Sequence, residues 1–439
     1  MSSDYLLYQT EGFLFVLAAA AWVLWWLLGR LRRRRPDLRI TGSIASAMVI
    51  RIVAAGAVSL LPNSRGLRGI DELTFLANAQ QIRASPLLSI LLGHSISPLH
   101  QWLFAVQQRL FDASDLTLRL TQITLSVIGL TLVATAVYDL AGARAARLAA
   151  WLLALEPTGV FYSSFLHKEP LITLAMGLVA YGGASMWGRR SMGAVAVMGA
   201  GCTVATLARP YAGWFLIGAS IAITLHATLR HQRGRRAALS AAAIVGVVLA
   251  VIPIGLQAAP AQLQRLKDSQ DANTADATAN LRYSKVDYSS PAAIARNLPG
   301  RVGDFLLRPY PWELKNTNQQ LGAIGGLVGV VTLTLFAFSV LWHRRRTMSR
   351  AGPLIYVTAF LVVAYAAIAG NAGTAFRLRE NVTAMLICAV CALYRRREHT
   401  SPEAEKAASA AYLQQPSAGS SPGATARAAL EGHPIWLAR

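Results

Sequence analysis

Cysteine is nearly absent from this chain: three of 439 residues, Cys202, Cys388 and Cys391. All three stand inside apolar stretches. Cys388 and Cys391 have helical spacing but no second pair to complete a zinc site, and a disulfide framework is equally excluded. Charge is scarce too. Only 14% of residues are charged, against roughly a quarter in a soluble domain. Acidic residues are the scarcer sign, 21 Asp and Glu against 42 Lys and Arg. A net charge of +21 on a soluble protein would point to nucleic acid. No nucleic-acid-binding motif occurs here, and the basic excess lies in short loops beside apolar runs, so a nucleic-acid partner is not expected. Nor does a cleaved secretory signal fit the first apolar run, Phe13 to Leu28. Asp4 and Glu11 precede it, no Lys or Arg does, and the basic cluster follows it, which is the wrong polarity. That run reads as a retained helix with its N-terminus outside.

What the chain has instead is long apolar runs; its mean hydropathy is +0.40. A helix crossing a bilayer needs about 20 mostly apolar residues. About eleven segments qualify: 12–29, 44–61, 117–138, 147–165, 170–187, 192–208, 210–229, 237–256, 321–342, 353–370 and 377–394. Alternation from an outside N-terminus puts Arg30–Arg39, Ala141–Arg147, Trp187–Arg190, Arg230–Arg236, His343–Arg350 and the C-terminus in the cytoplasm, and each of these is basic. That is the positive-inside pattern. The expected fold is an all-α, multi-pass transmembrane bundle.

Two of the outside segments, 62–116 and 257–320, are too long to be turns. The first contains a short apolar stretch, Pro86 to Leu92, which predicts helices lying at the interface. In the second, Ile294, Leu298, Val302, Phe305 and Leu306 recur at three- and four-residue intervals with Arg296, Arg301 and Arg308 between them, the pattern of an interfacial amphipathic helix. Its opening is polar, with Asp268, Asp271, Asn273 and Asp276. The chain thus divides into an extra N-terminal span with its basic loop (1–43), a transmembrane module (44–398) and a tail (399–439). The tail is rich in Ala, Ser, Gly and Pro, lacks a sustained apolar face, and is expected to be disordered. No internal repeat is found.

With the basic loops inside, nearly every unusual polar residue falls on the opposite face: Asp71, Glu72, His167, Lys168, Glu169, Arg209, Arg377, Arg379 and Glu380. A carboxylate such as Asp71 or Glu72 can accept the proton of a sugar hydroxyl as that oxygen attacks; an acidic pair at a helix N-terminus is equally explained by the dipole. Lys168, in His167-Lys168-Glu169-Pro170, offers a point charge for a phosphate. Taken alone, an ordinary loop with Pro opening the next helix explains it better, and so for Arg209-Pro210-Tyr211. Arg377 and Arg379 enter the last span from the side where the positive-inside rule disfavours arginine. Guanidinium forks suit phosphate oxygens, and pairing with Glu380 or with Asp71 and Glu72 is the structural alternative. Arg51 and Glu156 lie inside spans, where ionisable groups are paired or functional, but the sequence does not place them side by side. His94 and His100 lack metal spacing, and no metal or other cofactor is supported. Asn381-Val382-Thr383 matches a glycosylation sequon but opens a span and is disregarded.

These segments resemble the C-type (GT-C) membrane glycosyltransferases, which use polyprenyl-phosphate-linked sugars. The likeness rests on Asp71-Glu72 opening the first large outside loop, followed by Phe75, Ala77 and Ala79, and on the bundle beyond it. Glu156-Pro157 through Ser163-Ser164 to Lys168-Glu169-Pro170, Arg308-Pro309-Tyr310-Pro311-Trp312-Glu313, and Gly373-Thr374 to Arg377-Leu378-Arg379-Glu380 look like bacterial members of surface-polysaccharide assembly. Together they cover roughly residues 44–394. The resemblance implies Asp71 as catalytic base with Glu72 assisting, Lys168, Arg209, Arg377 and Arg379 at the donor phosphate, and His167, Glu169 and Glu380 in support. It implies an inverting transfer from a polyprenyl-phosphate sugar to a glycan, lipid or protein acceptor on the non-cytoplasmic face of a plasma (bacterial inner) membrane. The chain departs from the usual layout in its extra first span and in having no recognisable soluble sugar-binding domain after the bundle. A polysaccharide polymerase or ligase acting on lipid-linked glycans uses similar residues. A lipid-glycan transporter would instead place its polar groups near mid-membrane, often in repeats.

Overall fold

Apolar runs without internal turn signals form helices, and a computed structural model of the chain shows them. It describes residues 3–60, 65–93, 96, 98–189, 191–231, 264, 267–268, 271, 281, 283, 287–314, 317–344 and 346–394. Among the described residues there are fifteen α-helices and no β-strand. They belong to one compact unit, residues 1–395; the second unit, 396–439, lies outside the described residues, and with it the tail expected to be disordered.

The chain opens with α1 (Ser3–Arg34) and α2 (Thr41–Leu60). The segment 62–116 carries three helices too short or too polar to span: α3 (Arg65–Arg83), α4 (Leu87–Leu91) and α5 (Leu99–Phe111). The central helix α6 (Asp115–Ala141) is capped by Ser114, whose hydroxyl accepts from the Thr117 amide. It ends at Gly142, whose φ of 90° belongs to the region glycine favours. There follow α7 (Ala143–Leu155), α8 (Pro157–Ser163), α9 (Glu169–Arg189), α10 (Met192–Ala208) and α11 (Pro210–His231). The second long segment carries α12 (Pro291–Leu307), and α13 (Thr317–His343), α14 (Thr347–Ile368) and α15 (Ala372–Leu393) complete the described chain. The amphipathic repeat expected around 291–308 is thus the helix α12.

Seven described helices are long and apolar enough to cross a membrane: α1, α2, α6, α9, α11, α13 and α14. Of the four other expected spans, 237–256 lies outside the described residues. The expected span 147–165 is corrected to two half-helices, because Glu156-Pro157 breaks it: α7 ends at Leu155 and α8 restarts at Pro157. The third is the apolar α10, 17 residues long. The last is α15, long enough at 22 residues but carrying Arg377, Arg379 and Glu380 in its first half.

The core lies between α6, α9, α10, α11, α14 and α15. α6 and α9 press together where Gly129 and Gly177 meet: a Cβ on Gly177 would come within 2.5 Å of the Gly129 carbonyl oxygen. Only small residues allow backbones that close. The apolar window of α6 is 83% buried, while those of α1 and α13 are each 17% buried. Large apolar side chains such as Trp25, Leu327, Phe338 and Trp342 stand exposed on those two outer helices, as a lipid-facing surface requires.

Candidate active site

Four separate elements bring the polar residues to one end of the bundle. Asp71 and Glu72 are neighbours on α3, and consecutive helical residues point in different directions. Asp71 faces α15, where Arg377 Nη1 donates to its Oδ2 at 2.5 Å. Glu72 turns inward and is fully buried; it accepts from Arg119 of α6 and, at 3.3 Å, from the Leu166 amide. Arg119 also donates to the Ser164 carbonyl. It therefore ties α3 to the loop 164–168 that carries His167 and Lys168.

From there a chain of opposite charges runs across the site. Arg209, in the turn between α10 and α11, donates from Nη2 to Glu169 Oε1 at 2.8 Å. The same oxygen lies 3.2 Å from Arg377 Nε, and Arg377 reaches Asp71. The order Arg209, Glu169, Arg377, Asp71 runs from the interior outward: the Glu169 side chain is 0% exposed and that of Asp71 is 42% exposed. The Lys168 ammonium sits 5.0 Å from the centre of the Phe75 ring. His100 lies edge-on to the same ring at 4.6 Å.

Several buried polar atoms of this cluster make no hydrogen bond: Glu169 Oε2, Arg209 Nη1 and His167 Nδ1. Leaving such atoms unmatched is costly, so the cluster keeps a donor on Arg209 and an acceptor on Glu169 for groups from outside the chain. Its electrostatics are distinctive. Burial pushes the Asp71 carboxyl up, but the Arg377 guanidinium pulls it down further, to a net position below the ordinary aspartate range. Burial, then Arg209 and Arg377, lower the Lys168 ammonium to about 8, with Glu169 and Asp71 opposing. Burial and then Arg377 lower the His167 imidazole to about 4, which keeps it neutral at physiological pH. Among the described residues no group of three or more His, Cys, Asp or Glu is placed to hold a metal ion.

Six of the residues singled out from the sequence thus meet: Asp71, His167, Lys168, Glu169, Arg209 and Arg377. Three do not join them. Glu72 stands behind Asp71, closed off with Arg119. Arg379 faces away from the cluster and spends its guanidinium on the end of α12, donating to the carbonyls of Phe305 (2.9 Å from Nε) and Arg308 (2.6 Å from Nη2). Glu380 lies a turn deeper, close to Arg51 and Glu156 around Gly159. His94 lies outside the described residues. Sequence reasoning passed over Arg119, although an arginine at the start of an apolar run was a signal. It also passed over Tyr365, whose buried hydroxyl leaves no mark in the sequence.

Residues 94–256 match the model of the dolichyl-phosphate-mannose-protein mannosyltransferase family. The matched segment holds His167, Lys168, Glu169 and Arg209; Asp71 and Arg377 lie on either side of it. No curated protein and no solved structure matches the chain. Over that segment the chain is similar to multi-pass membrane glycosyltransferases of the C type, the kind that draws its sugar from a polyprenyl phosphate.

Proposed function

We propose that this chain moves a sugar from a polyprenyl-phosphate donor to a glycan, lipid or protein acceptor at the non-cytoplasmic face, with inversion at the anomeric carbon and Asp71 as the base. The observation that carries this reading is the half-open Asp71 carboxylate at the end of a charge chain whose inner members are buried and keep unmatched polar atoms. The acceptor hydroxyl gives its proton to Asp71 as its oxygen bonds to the anomeric carbon. The bond from that carbon to the phosphate oxygen breaks, and the pair of electrons leaves with the polyprenyl phosphate. Lys168 and Arg377 take up the charge growing on the phosphate, where a water-poor setting strengthens each contact. A lipid tail must remain in the bilayer while its phosphate and sugar reach water, which suits a site at one end of the bundle.

The other residues receive supporting roles. Arg209 neutralises Glu169, and Glu169 steadies Arg377. Glu72 and Arg119 hold α3 against the Lys168 loop, so Glu72 acts through placement and not on the acceptor. Arg379 fixes the end of α12. The deciding experiment compares Asp71→Asn with wild type in reconstituted membranes supplied with a panel of polyprenyl-phosphate sugars. Transfer should fall by about 10²–10⁴-fold, the usual share of a general base, with donor binding retained. Full activity of Asp71→Asn would remove Asp71 as the base.

A further inference from the structure

The α7–α8 break leaves backbone groups that a continuous helix would have paired. The last carbonyls of α7 and the first amides of α8 have no partner within their own helix, and inside a membrane protein no bulk water replaces it. Arg51 of α2 and Glu156 at the break supply both sets. Arg51 donates to the carbonyls of Leu153 (3.2 Å) and Ala154 (3.1 Å). Glu156 accepts from the amides of Thr158 (3.0 Å) and Gly159. Glu380, from α15, closes the third side of a small cavity that Arg51, Glu156, Gly159 and Thr173 also line. Arg51, Glu156 and Glu380 are 1%, 4% and 5% exposed. Gly159 lets them crowd together: a Cβ there would lie 2.8 Å from Glu156 Oε2, 3.4 Å from Arg51 Nη2 and 3.5 Å from Glu380 Oε1.

This cluster touches both halves of the site above it. Short α8 runs directly from Glu156 into the loop that presents His167 and Lys168 and leads into α9 at Glu169. Glu380 lies three residues past Arg377, on the same face of α15. We propose that Arg51, Glu156 and Glu380 are positioning residues: they hold the helix break at one geometry and so set Lys168 and Glu169 against Arg377. The inference rests on the reading of Lys168 and Arg377 as donor-phosphate ligands.

The test reads the placement of Lys168 through its titration. The groups facing that ammonium are Arg209, Arg377, Glu169, Asp71, His100 and the Phe75 ring. In the full-length protein in lipid nanodiscs, competitive amine labelling with mass-spectrometric readout at Lys168 gives its titration directly. Wild type should titrate near 8. In Arg51→Lys, Glu156→Gln and Gly159→Ala the loop shifts, Lys168 loses burial and its arginine neighbours, and its titration rises toward 10.5. A rise of one unit would cut the free amine at pH 8 about fivefold. Gly159→Ala keeps every charged group, so it stands in if Arg51→Lys fails to fold. Asp139→Asn is the control, since it breaks the Arg35 pair, 2.7 Å long, which involves none of these residues. A Lys168 titration that rises, with labelling at pH 8 that falls, in the three variants and not in Asp139→Asn supports the inference. Folded variants with wild-type titration at Lys168, or an equal shift in Asp139→Asn, overturn it. A wild type that transfers no sugar removes the catalytic reading and this one with it; a transferring wild type with an unmoved Lys168 removes only this one.

Discussion

Lys168 carries a lowered ammonium because burial and two arginines oppose its charge, and that sets a pH dependence. It is protonated, and able to bind phosphate, below about 8 and uncharged above. The kcat/KM for donor should therefore decline as pH rises through that value, because this ratio reports the free enzyme. Lys168→Arg, charged at all working pH values, should lose this alkaline limb. An unchanged limb in Lys168→Arg would assign it to another group. Asp71 behaves in the opposite sense: its carboxyl, held low by Arg377, is ionised throughout the neutral range and adds no limb there. The two arginines of α15 separate in the same way. Arg377→Gln should raise the donor KM. Arg379→Gln should leave it within about twofold and lower stability by about 1–3 kcal/mol, the cost of stranding buried acceptors, measured as a thermal shift. Both arginines looked alike in the sequence as candidates for phosphate. Residues two apart on a helix do not share a face, so a site that takes one turns the other away.

At the scale of elements, α6 against α9 is the contact that places Glu169. Gly129 and Gly177 allow the backbones to meet, and Thr173, one turn before Gly177, has its carbonyl 2.5 Å from where a Gly129 Cβ would stand. Gly177→Val should force the helices apart at a cost of about 1–3 kcal/mol and displace the start of α9. Melting temperature measures the first effect and loss of transfer the second; a variant as stable and active as wild type would remove the close contact. The helices themselves were legible in the sequence: seven of the expected spans stand as membrane-length helices, and α12 follows its three- and four-residue repeat. The span expected over 147–165 was not, because hydropathy averages over Glu156-Pro157. A buried charge can cap a broken helix only when another helix brings it a partner, here Arg51 from a hundred residues away.

For the whole molecule the basic loops make a definite statement about orientation. The positive-inside pattern predicts an N-terminus outside, a C-terminus in the cytoplasm and the Asp71 cluster on the outer face. Reporter fusions at both ends of the full chain check this: a C-terminal fluorescent protein should fold, and an N-terminal one exported through the general secretory route should stay dark. A dark C-terminal fusion would put the cluster on the cytoplasmic side and exclude the proposed acceptor face.

The sequence alone determined that this chain is a helical, multi-pass membrane protein, because a long apolar run must satisfy its own backbone hydrogen bonds and does so locally. It also marked out the residues from which the site is built. Which of them meet was decided by tertiary structure. Asp71 and Arg377 are 306 residues apart in the chain, and their pairing depends on the rotation of α3 and α15 about their own axes. That rotation is set by packing across the bundle, which no local run of residues records.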